Sequence, residues 1–180
     1  MEGPITAGVS GFTFPPYYHY PPYFTLQPVK ETRDRQSSLW GQLILAYCRH
    51  HKVYLINTQD EFPLFINSAI NRRLAPEALQ AFLDDLAAAG SIEWLDKTKR
   101  RCLVLWRKIP DWANLIYDFV KTFGLQGSVM VVGDLSGGDD VRGTEMEGLA
   151  HEVLLRALKM LEQQGKAKLF KGSTAEEEGV

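Results

Sequence analysis

The apolar positions in the first part of the chain recur at the spacing of helices and short strands. A first helix is predicted from about Thr32, which can cap it, to His51. Its apolar stripe comprises Leu39, Trp40, Leu43, Ile44 and Tyr47. A short extended piece at 53–56 follows, and a second short helix is expected around residues 66–73.

The segment from Pro76 to Gly90 carries the clearest helix signals. Pro76 suits a first helical turn, where its missing N–H is not needed, and Gly90 suits the left-handed end. The buried face is expected to comprise Leu79, Phe82, Leu83 and Leu86. Strands at 92–95 and 102–106 follow, and the charged loop at 96–100 predicts that they form a hairpin.

The same order of elements returns in the second half. Leucines stand four, seven and eleven positions before Gly90, and leucines stand at the same offsets before Gly165. They are Leu79, Leu83 and Leu86 in the first helix and Leu154, Leu158 and Leu161 in the second. A short strand and a charged turn follow each glycine, and the glycines lie about 75 residues apart. This pattern indicates an internal repeat of one small module.

The repeat predicts an α+β, mostly helical fold of two tandem winged-helix domains. The first domain is expected at 31–107 and the second at 108–180, after an N-terminal segment at 1–30. In the second domain we expect helices at 112–124 and 149–164 and strands at 128–132 and 166–170. A single α+β domain is the alternative.

Composition indicates the class of protein and its cellular compartment more than its function. Hydrophobic residues make up 45% and charged residues 23% of the chain, as in folded globular proteins. A net charge of −2 gives no overall attraction to nucleic acid or to an anionic membrane. No apolar run reaches the roughly 20 residues that a bilayer-spanning helix needs. Cys48 and Cys102 are expected to be buried thiols, so we expect a soluble protein of the reducing cytoplasm.

Two boxes of prolines and aromatics distinguish the N-terminal segment. The first is Pro15, Pro16, Tyr17 and Tyr18, and the second is Pro21, Pro22, Tyr23 and Phe24. Paired prolines predict extended or polyproline II backbone, so the aromatics must be covered by the body of the protein or by a partner.

Three interpretations of these boxes are open. The segment packs on its own domain, the first box is a Pro-Pro-x-Tyr ligand for WW domains, or the segment docks onto a constitutive partner. We favour docking, because the second box runs directly through residues 25–28 into the first predicted helix.

Signatures of catalysis or metal binding are nearly absent from the sequence. There is no Gly-x-Ser-x-Gly elbow, no Walker loop and no Cys-x-x-Cys pair. The adjacent His50 and His51 cannot chelate from one helix face. We therefore predict that the protein is not an enzyme and needs no metal or cofactor.

Binding of nucleic acid is the alternative function for winged-helix domains. The charged loop offers Lys97, Lys99, Arg100 and Arg101 for phosphate contacts. The helix that would enter the groove of DNA, however, carries Glu77, Asp84 and Asp85 and no cation between residues 76 and 89. We therefore expect no nucleic-acid partner.

Four stretches of the sequence resemble one protein family. They are residues 21–28 (PPYFTLQP), 93–97 (EWLDK), 106–107 (WR) and 154–158 (LLRAL). In these stretches the chain resembles the small subunit of the ESCRT-II complex, the vacuolar protein-sorting-associated protein 25 family. The resemblance covers about residues 21–180 and implies two winged-helix domains. It also implies a Y-shaped heterotetramer in which two copies of the small subunit each bind one of two larger subunits.

The resemblance also implies the binding residues. The Pro-Pro-x-Phe motif of the family inserts into the larger subunits, which carries over to Pro21, Pro22, Tyr23 and Phe24. The box at 15–18 departs from the family pattern and is either a second contact or part of a tail.

A second partner is implied for the second winged helix. There the resemblance implies binding of the first helix of an ESCRT-III subunit, in the sorting of ubiquitinated membrane proteins into multivesicular bodies at the endosomal membrane. For that contact we expect Val129, Met130, Val132 and Leu135.

Overall fold

The computed structural model describes residues 11–172 and 178–180 of the chain. These residues divide into two units, of which the first ends at Trp106 and the second starts at Arg107. Within the described ranges, no helix has the length and apolarity needed to cross a membrane.

The first unit combines two helices with two small antiparallel sheets. Its elements are α1 (Lys30–His51), β1 (Leu55–Asn57), β2 (Ile66–Asn67), β3 (Arg72–Arg73), α2 (Pro76–Ala88), β4 (Ile92–Trp94) and β5 (Arg101–Val104). The order in the larger sheet is β1-β5-β4, and β2 pairs with β3. Cys102 of β5 lies opposite Ile56 of β1 and Trp94 of β4. The predicted β4–β5 hairpin is thus confirmed, and its loop forms the wing.

The core of the first unit lies where α1 packs against α2. Trp40 of α1 and Phe82 of α2 are fully buried, and their rings stack with centroids 6.0 Å apart. Pro76 occupies the first turn of α2, and Gly90 follows its end with a φ of +74°. The four residues predicted for the buried face of α2 are all buried. Local signals were therefore sufficient to place this helix.

The helix predicted around residues 66–73 is wrong. These residues form the β2–β3 hairpin, with a single 3₁₀ turn at Ser68–Ile70. The side chain of Asn67 accepts a hydrogen bond from the Ala69 N–H, and Asn71 adopts left-handed backbone with a φ of +51°. An asparagine at each end of the turn therefore reverses the chain where a helix would continue.

The second unit is built mainly from two packed helices. Its helices are α3 (Ile109–Thr122), α4 (Asp134–Gly137) and α5 (His151–Gln163). All three repeat leucines of α5 are buried, together with Trp112 and Ile116 of α3. Regular strands do not form at 128–132 and 166–170. Instead, isolated bridges join Val131 and Phe170 to Gly179.

The two cysteines are buried in the first unit, as the sequence predicts. Burial raises the pKa of the Cys48 thiol to about 12, and it raises the pKa of Cys102 to about 12 as well. Both therefore remain protonated at neutral pH and act as small apolar side chains.

Candidate partner-docking sites

Residues 15–27, here called the proline–aromatic segment, fold as two single-turn 3₁₀ helices at Pro16–His19 and Pro21–Phe24. The Tyr18 N–H donates to the Pro15 carbonyl at 3.0 Å, and the Tyr23 N–H donates to the Tyr20 carbonyl at 2.9 Å. The prediction of extended backbone is therefore wrong for residues 16–19 and 21–24, whereas Pro15, Tyr20 and Thr25 are extended. Proline fixes φ near −65°, a value that suits the first turn of a 3₁₀ helix as well as polyproline II.

One side of the proline–aromatic segment is part of the core of the first unit. Tyr18, Tyr23 and Phe24 are each at most 5% exposed. The Tyr23 ring stacks face to face on Trp40 at 4.4 Å and 6°, and the Phe24 ring meets Trp40 edge-on at 5.3 Å. These rings hold the segment against α1.

The two buried tyrosines differ in the bonding of their hydroxyls. The Tyr18 hydroxyl donates to the carbonyls of Leu64 at 2.9 Å and Ile66 at 3.1 Å. The Tyr23 hydroxyl is buried without a hydrogen-bond partner among the residues that the structure describes. Burial raises the pKa of Tyr18 to about 12 and raises that of Tyr23 further. A WW domain would need Tyr18 on the surface, so its burial argues against that interpretation of the first box.

Polar side chains of α1 bind the backbone of the proline–aromatic segment. Gln36 is 5% exposed, and its Nε2 donates to the carbonyls of Tyr23 at 2.9 Å and Thr25 at 2.8 Å. The Trp40 Nε1 donates to the Tyr23 carbonyl at 2.8 Å. Sequence reasoning missed Gln36, although a signal existed. It precedes Trp40 by four positions and so shares the apolar face of α1.

The opposite side of the segment faces outward. The Tyr20 side chain is 62% exposed, Pro16 and Pro22 are exposed, and Pro21 is half-buried. Strand β3 lies against the second 3₁₀ turn. The first unit thus presents an aromatic and prolines on a backbone that is fixed from behind.

The second unit contains an apolar groove with a volume of about 470 Å³. We call it the second-unit groove. Its lining includes Tyr117 of α3, Val129, Met130, Leu135 and Phe170. Two of these apolar side chains are well exposed, Val129 at 75% and Phe170 at 46%.

Lysines stand beside the apolar lining of the second-unit groove. The Lys121 ammonium lies 5.3 Å and the Lys166 ammonium 4.9 Å from the centre of the Tyr117 ring. The structure therefore brings a cationic rim and an apolar floor together.

The residues expected for the second contact differ in accessibility. Val129 is exposed and Met130 is half-buried, whereas Val132 and Leu135 are at most 2% exposed. Leu135 still lines the second-unit groove from below. Val132 packs inside the second unit, so it supports the groove without facing it.

The wing of the first unit is partly neutralised by α2. Lys99 forms an ion pair with Asp84 at 2.7 Å, and the Trp94 Nε1 donates to the same carboxylate at 3.1 Å. This exposed ion pair offsets the charge of one of the four wing cations. Among the described residues, no three His, Cys, Asp or Glu side chains cluster in a way that would hold a metal ion.

Comparison with known proteins identifies the protein family of this chain. The family model described as ESCRT-II complex subunit matches residues 17–150. The chain belongs to this family of ESCRT-II complex subunits. Within it, the chain is 49% identical over 172 residues to vacuolar protein sorting-associated protein 25 of Arabidopsis thaliana, covering 96% of each chain. It is 40% identical to the protein of the same name from Homo sapiens, covering 88% of this chain and 92% of the human one.

Solved structures agree with this assignment. A crystal structure of the VPS25 subunit of the endosomal trafficking complex ESCRT-II superposes with a TM-score of 0.82 at 25% identity, over 92% of this chain and 96% of that one. A chain from the crystal structure of the endosomal complex ESCRT-II (VPS22/VPS25/VPS36) gives 0.79 at 25% identity, over 92% and 97%. The predicted α+β fold of tandem winged helices is thereby confirmed.

Proposed function

We propose that this chain is a non-enzymatic subunit of an ESCRT-II complex, in which counterparts of VPS22 and VPS36 are its larger partners and two copies of it are present. It acts from the cytoplasm at the endosomal membrane, in the sorting of ubiquitinated membrane proteins into multivesicular bodies. Family membership supports this proposal, as does the solved complex of VPS22, VPS25 and VPS36.

The residues of the second box have two roles, one on the buried side of the segment and one on its exposed side. Tyr23 and Phe24 anchor the proline–aromatic segment on the first unit, and Pro21 and Pro22 contact the larger subunits together with Tyr20. The observation that carries the proposal is the exposure of Tyr20 and Pro22 directly beside two buried anchors. Aromatic and proline side chains on a fixed backbone lose little entropy when they bind.

The first box divides in the same way. Tyr18 is an anchor through its hydroxyl, whose proton is shared between the carbonyls of Leu64 and Ile66, whereas Pro16 lies on the exposed side. Pro15 and Tyr17 are half-buried. We therefore assign the first box to a second contact along the same docking surface.

Co-expression with the two larger subunits tests the docking surface. Tyr20→Ala and Pro22→Ala are expected to weaken assembly, Tyr20→Ala by about tenfold or more, as for an exposed aromatic that becomes the centre of an interface. Affinity is measured by titration of the purified chain against the larger subunits. Native mass spectrometry of the assembled complex reports the number of copies.

The matched control is Phe123→Ala, because Phe123 is an aromatic of similar exposure (52%) in the second unit. Phe24→Ala is a poor test, since Phe24 is 2% exposed and its truncation would disturb the first unit itself. Unchanged affinity for both Tyr20→Ala and Pro22→Ala would reject docking through this face.

The second-unit groove is the proposed site for the first helix of an ESCRT-III subunit. Its apolar floor suits the apolar face of an amphipathic helix, and Lys121 and Lys166 favour acidic residues on that helix. Val129 and Met130 make the contact directly, Leu135 contributes from the floor, and Val132 supports it from within.

A peptide of that ESCRT-III helix is the probe for the groove. Val129→Asp places a carboxylate at the apolar contact surface of the groove and is expected to lower the affinity at least tenfold, as measured by fluorescence anisotropy. The control is Val29→Asp, since Val29 is 61% exposed in the first unit. Equal binding by both variants would rule out this groove as the site.

A further inference from the structure

Gln36 is a polar side chain at an otherwise apolar contact between α1 and the proline–aromatic segment. It is one of three buried polar or charged residues among those that the structure describes. Its amide nitrogen donates to the Tyr23 and Thr25 carbonyls, and its Oε1 accepts from the Gln27 N–H at 3.1 Å. Every hydrogen bond that the structure gives this side chain thus goes to the backbone of the segment.

These bonds serve groups that the segment cannot satisfy alone. A 3₁₀ helix of one turn makes few internal hydrogen bonds, and a buried carbonyl without a partner is costly. The Tyr23 carbonyl accepts from both Gln36 and Trp40, at 2.9 and 2.8 Å. The backbone at residues 23–25 therefore depends on α1 for its conformation.

A second glutamine binds the same backbone from outside. The Gln27 Nε2 donates to the carbonyls of Pro22 at 3.0 Å and Thr25 at 2.8 Å. The Thr25 carbonyl is therefore shared by the amides of Gln27 and Gln36. Between them, the two glutamines hold residues 22–25 in one conformation.

We propose that Gln36 is a positioning residue for assembly: it fixes the proline–aromatic segment on α1 so that the larger subunits bind Tyr20 and Pro22 in place, without removing the segment from the first unit. This proposal rests on the proposed docking function. Removal of the segment would expose the rings of Tyr23 and Phe24 to water and break the hydrogen bonds of the Gln36 amide to the segment backbone.

Docking in place and docking by release predict opposite effects of loosening the segment. If the larger subunits bind the fixed segment, a loosened segment is competent only part of the time, and the apparent affinity falls by that fraction. The loss then appears mainly in the association rate. If the segment must first be released, loosening makes release easier and the affinity rises.

The test compares Gln36→Leu with Gln42→Leu in the full chain. Gln42 is an exposed glutamine on the same helix, and its Nε2 donates to the Ser38 hydroxyl at 3.3 Å. Gln36→Leu is expected to slow association with the larger subunits about tenfold, with a dissociation rate within about twofold of wild type. The backbone N–H of Gln27 loses its acceptor, the Gln36 Oε1, and is expected to exchange its hydrogen at least tenfold faster. Gln42→Leu is expected to match wild type in both measurements.

Gln27→Ala is the second variant, because Gln27 lies near the surface and its loss is compatible with folding. It is also expected to slow association with the larger subunits, by about threefold. An affinity that rises in Gln36→Leu, or that stays at the wild-type value while amide exchange accelerates, overturns the proposal. Tyr20→Ala, measured in parallel, tests the docking surface separately from the role of Gln36. Normal assembly of Tyr20→Ala counts against the docking surface itself. Weak assembly of Tyr20→Ala together with normal assembly of Gln36→Leu counts against the role of Gln36 alone.

Discussion

Tyr18 and Tyr23 are buried to a similar extent, yet their hydroxyls predict opposite effects of the same substitution. Tyr18→Phe removes a hydroxyl whose single proton is shared between two carbonyls, and it is expected to lower the free energy of unfolding by about 1–2 kcal/mol. Tyr23→Phe removes a buried hydroxyl that has no partner among the described residues and is expected to raise it by about 1 kcal/mol. Urea unfolding, followed by tryptophan fluorescence, measures both changes.

Comparison of Tyr18→Phe with Tyr23→Phe controls for the loss of a phenolic oxygen, because both variants lose one. A Tyr23→Phe variant that unfolds as easily as Tyr18→Phe would mean that the Tyr23 hydroxyl has a bonded partner.

Asn71 provides a second test at the scale of one residue. Its φ of +51° is left-handed, a conformation that glycine adopts without strain and that alanine resists. We expect Asn71→Ala to lower the free energy of unfolding of the first unit by about 1 kcal/mol and Asn71→Gly to leave it nearly unchanged. Thermal unfolding by circular dichroism distinguishes the two. Equal stabilities would show that backbone strain does not decide the β2–β3 turn.

Sequence reasoning found the proline–aromatic segment but not the direction of its side chains. Tyr20 and Tyr23 each stand next to a proline, so nothing local marks Tyr23 as inward and Tyr20 as outward. The direction is set by Gln36 and Trp40, which lie 13 and 17 positions from Tyr23 in the sequence. Contacts at that separation are not visible in the spacing of one segment.

At the scale of elements, the loop of the β4–β5 hairpin depends on one carboxylate. Asp96 accepts from the Thr98 hydroxyl, from the Arg100 N–H at 3.2 Å and from the Arg101 N–H at 2.9 Å. These hydrogen bonds lower the pKa of Asp96 to about 2. Since the folded pKa lies below the ordinary value of 3.8, the ionised form stabilises the hairpin at pH values above 4.

This stabilisation is expected to be lost as the pH falls from about 4 to about 2. The protection of the Arg101 amide against hydrogen exchange, taken relative to the intrinsic exchange rate at each pH, should fall in that window in the wild-type chain. Asp96→Asn, which keeps the shape without the charge, should show low protection already at neutral pH and no further loss of protection on acidification. A wild-type pH profile retained in Asp96→Asn would assign the effect to another group.

The elements that the sequence predicted well are those whose signals are local. Helix α2 has Pro76 at its start, Gly90 after its end and four apolar residues on one face, and it forms as expected. The β2–β3 hairpin has no glycine to mark its left-handed residue, because Asn71 takes that place. Long-range pairing decides the end of the second unit too, where Met130 and Val180 exchange two backbone hydrogen bonds at 2.9 Å.

At the scale of the whole molecule, the internal repeat was the most useful signal in the sequence. It relied on leucines at matching offsets before Gly90 and Gly165, and both sets are buried in separate cores. The repeat could not reveal the second-unit groove, whose lining combines side chains of α3 with residues after α5. Nor could it show that the proline–aromatic segment belongs to the first unit.

The side chains at the junction suggest where the chain can be divided. Trp106 donates from Nε1 to the Val53 carbonyl at 3.0 Å, within the first unit. Arg107 binds both carboxylate oxygens of Glu145 at 2.8 Å and lies 4.6 Å from the centre of the Trp112 ring, within the second unit. Each of these contacts lies on one side of a cut between Trp106 and Arg107.

A fragment of residues 1–106 is therefore expected to fold and to bind the larger subunits with an affinity within about threefold of the full chain, because the docking surface and its anchors lie in one unit. The same fragment should not bind the ESCRT-III helix peptide, since every residue of the second-unit groove is missing from it. Circular dichroism establishes folding, and the two titrations described above measure binding. A folded fragment that fails to bind the larger subunits would place part of the docking surface beyond Trp106, and peptide binding by the fragment would move the ESCRT-III site into the first unit.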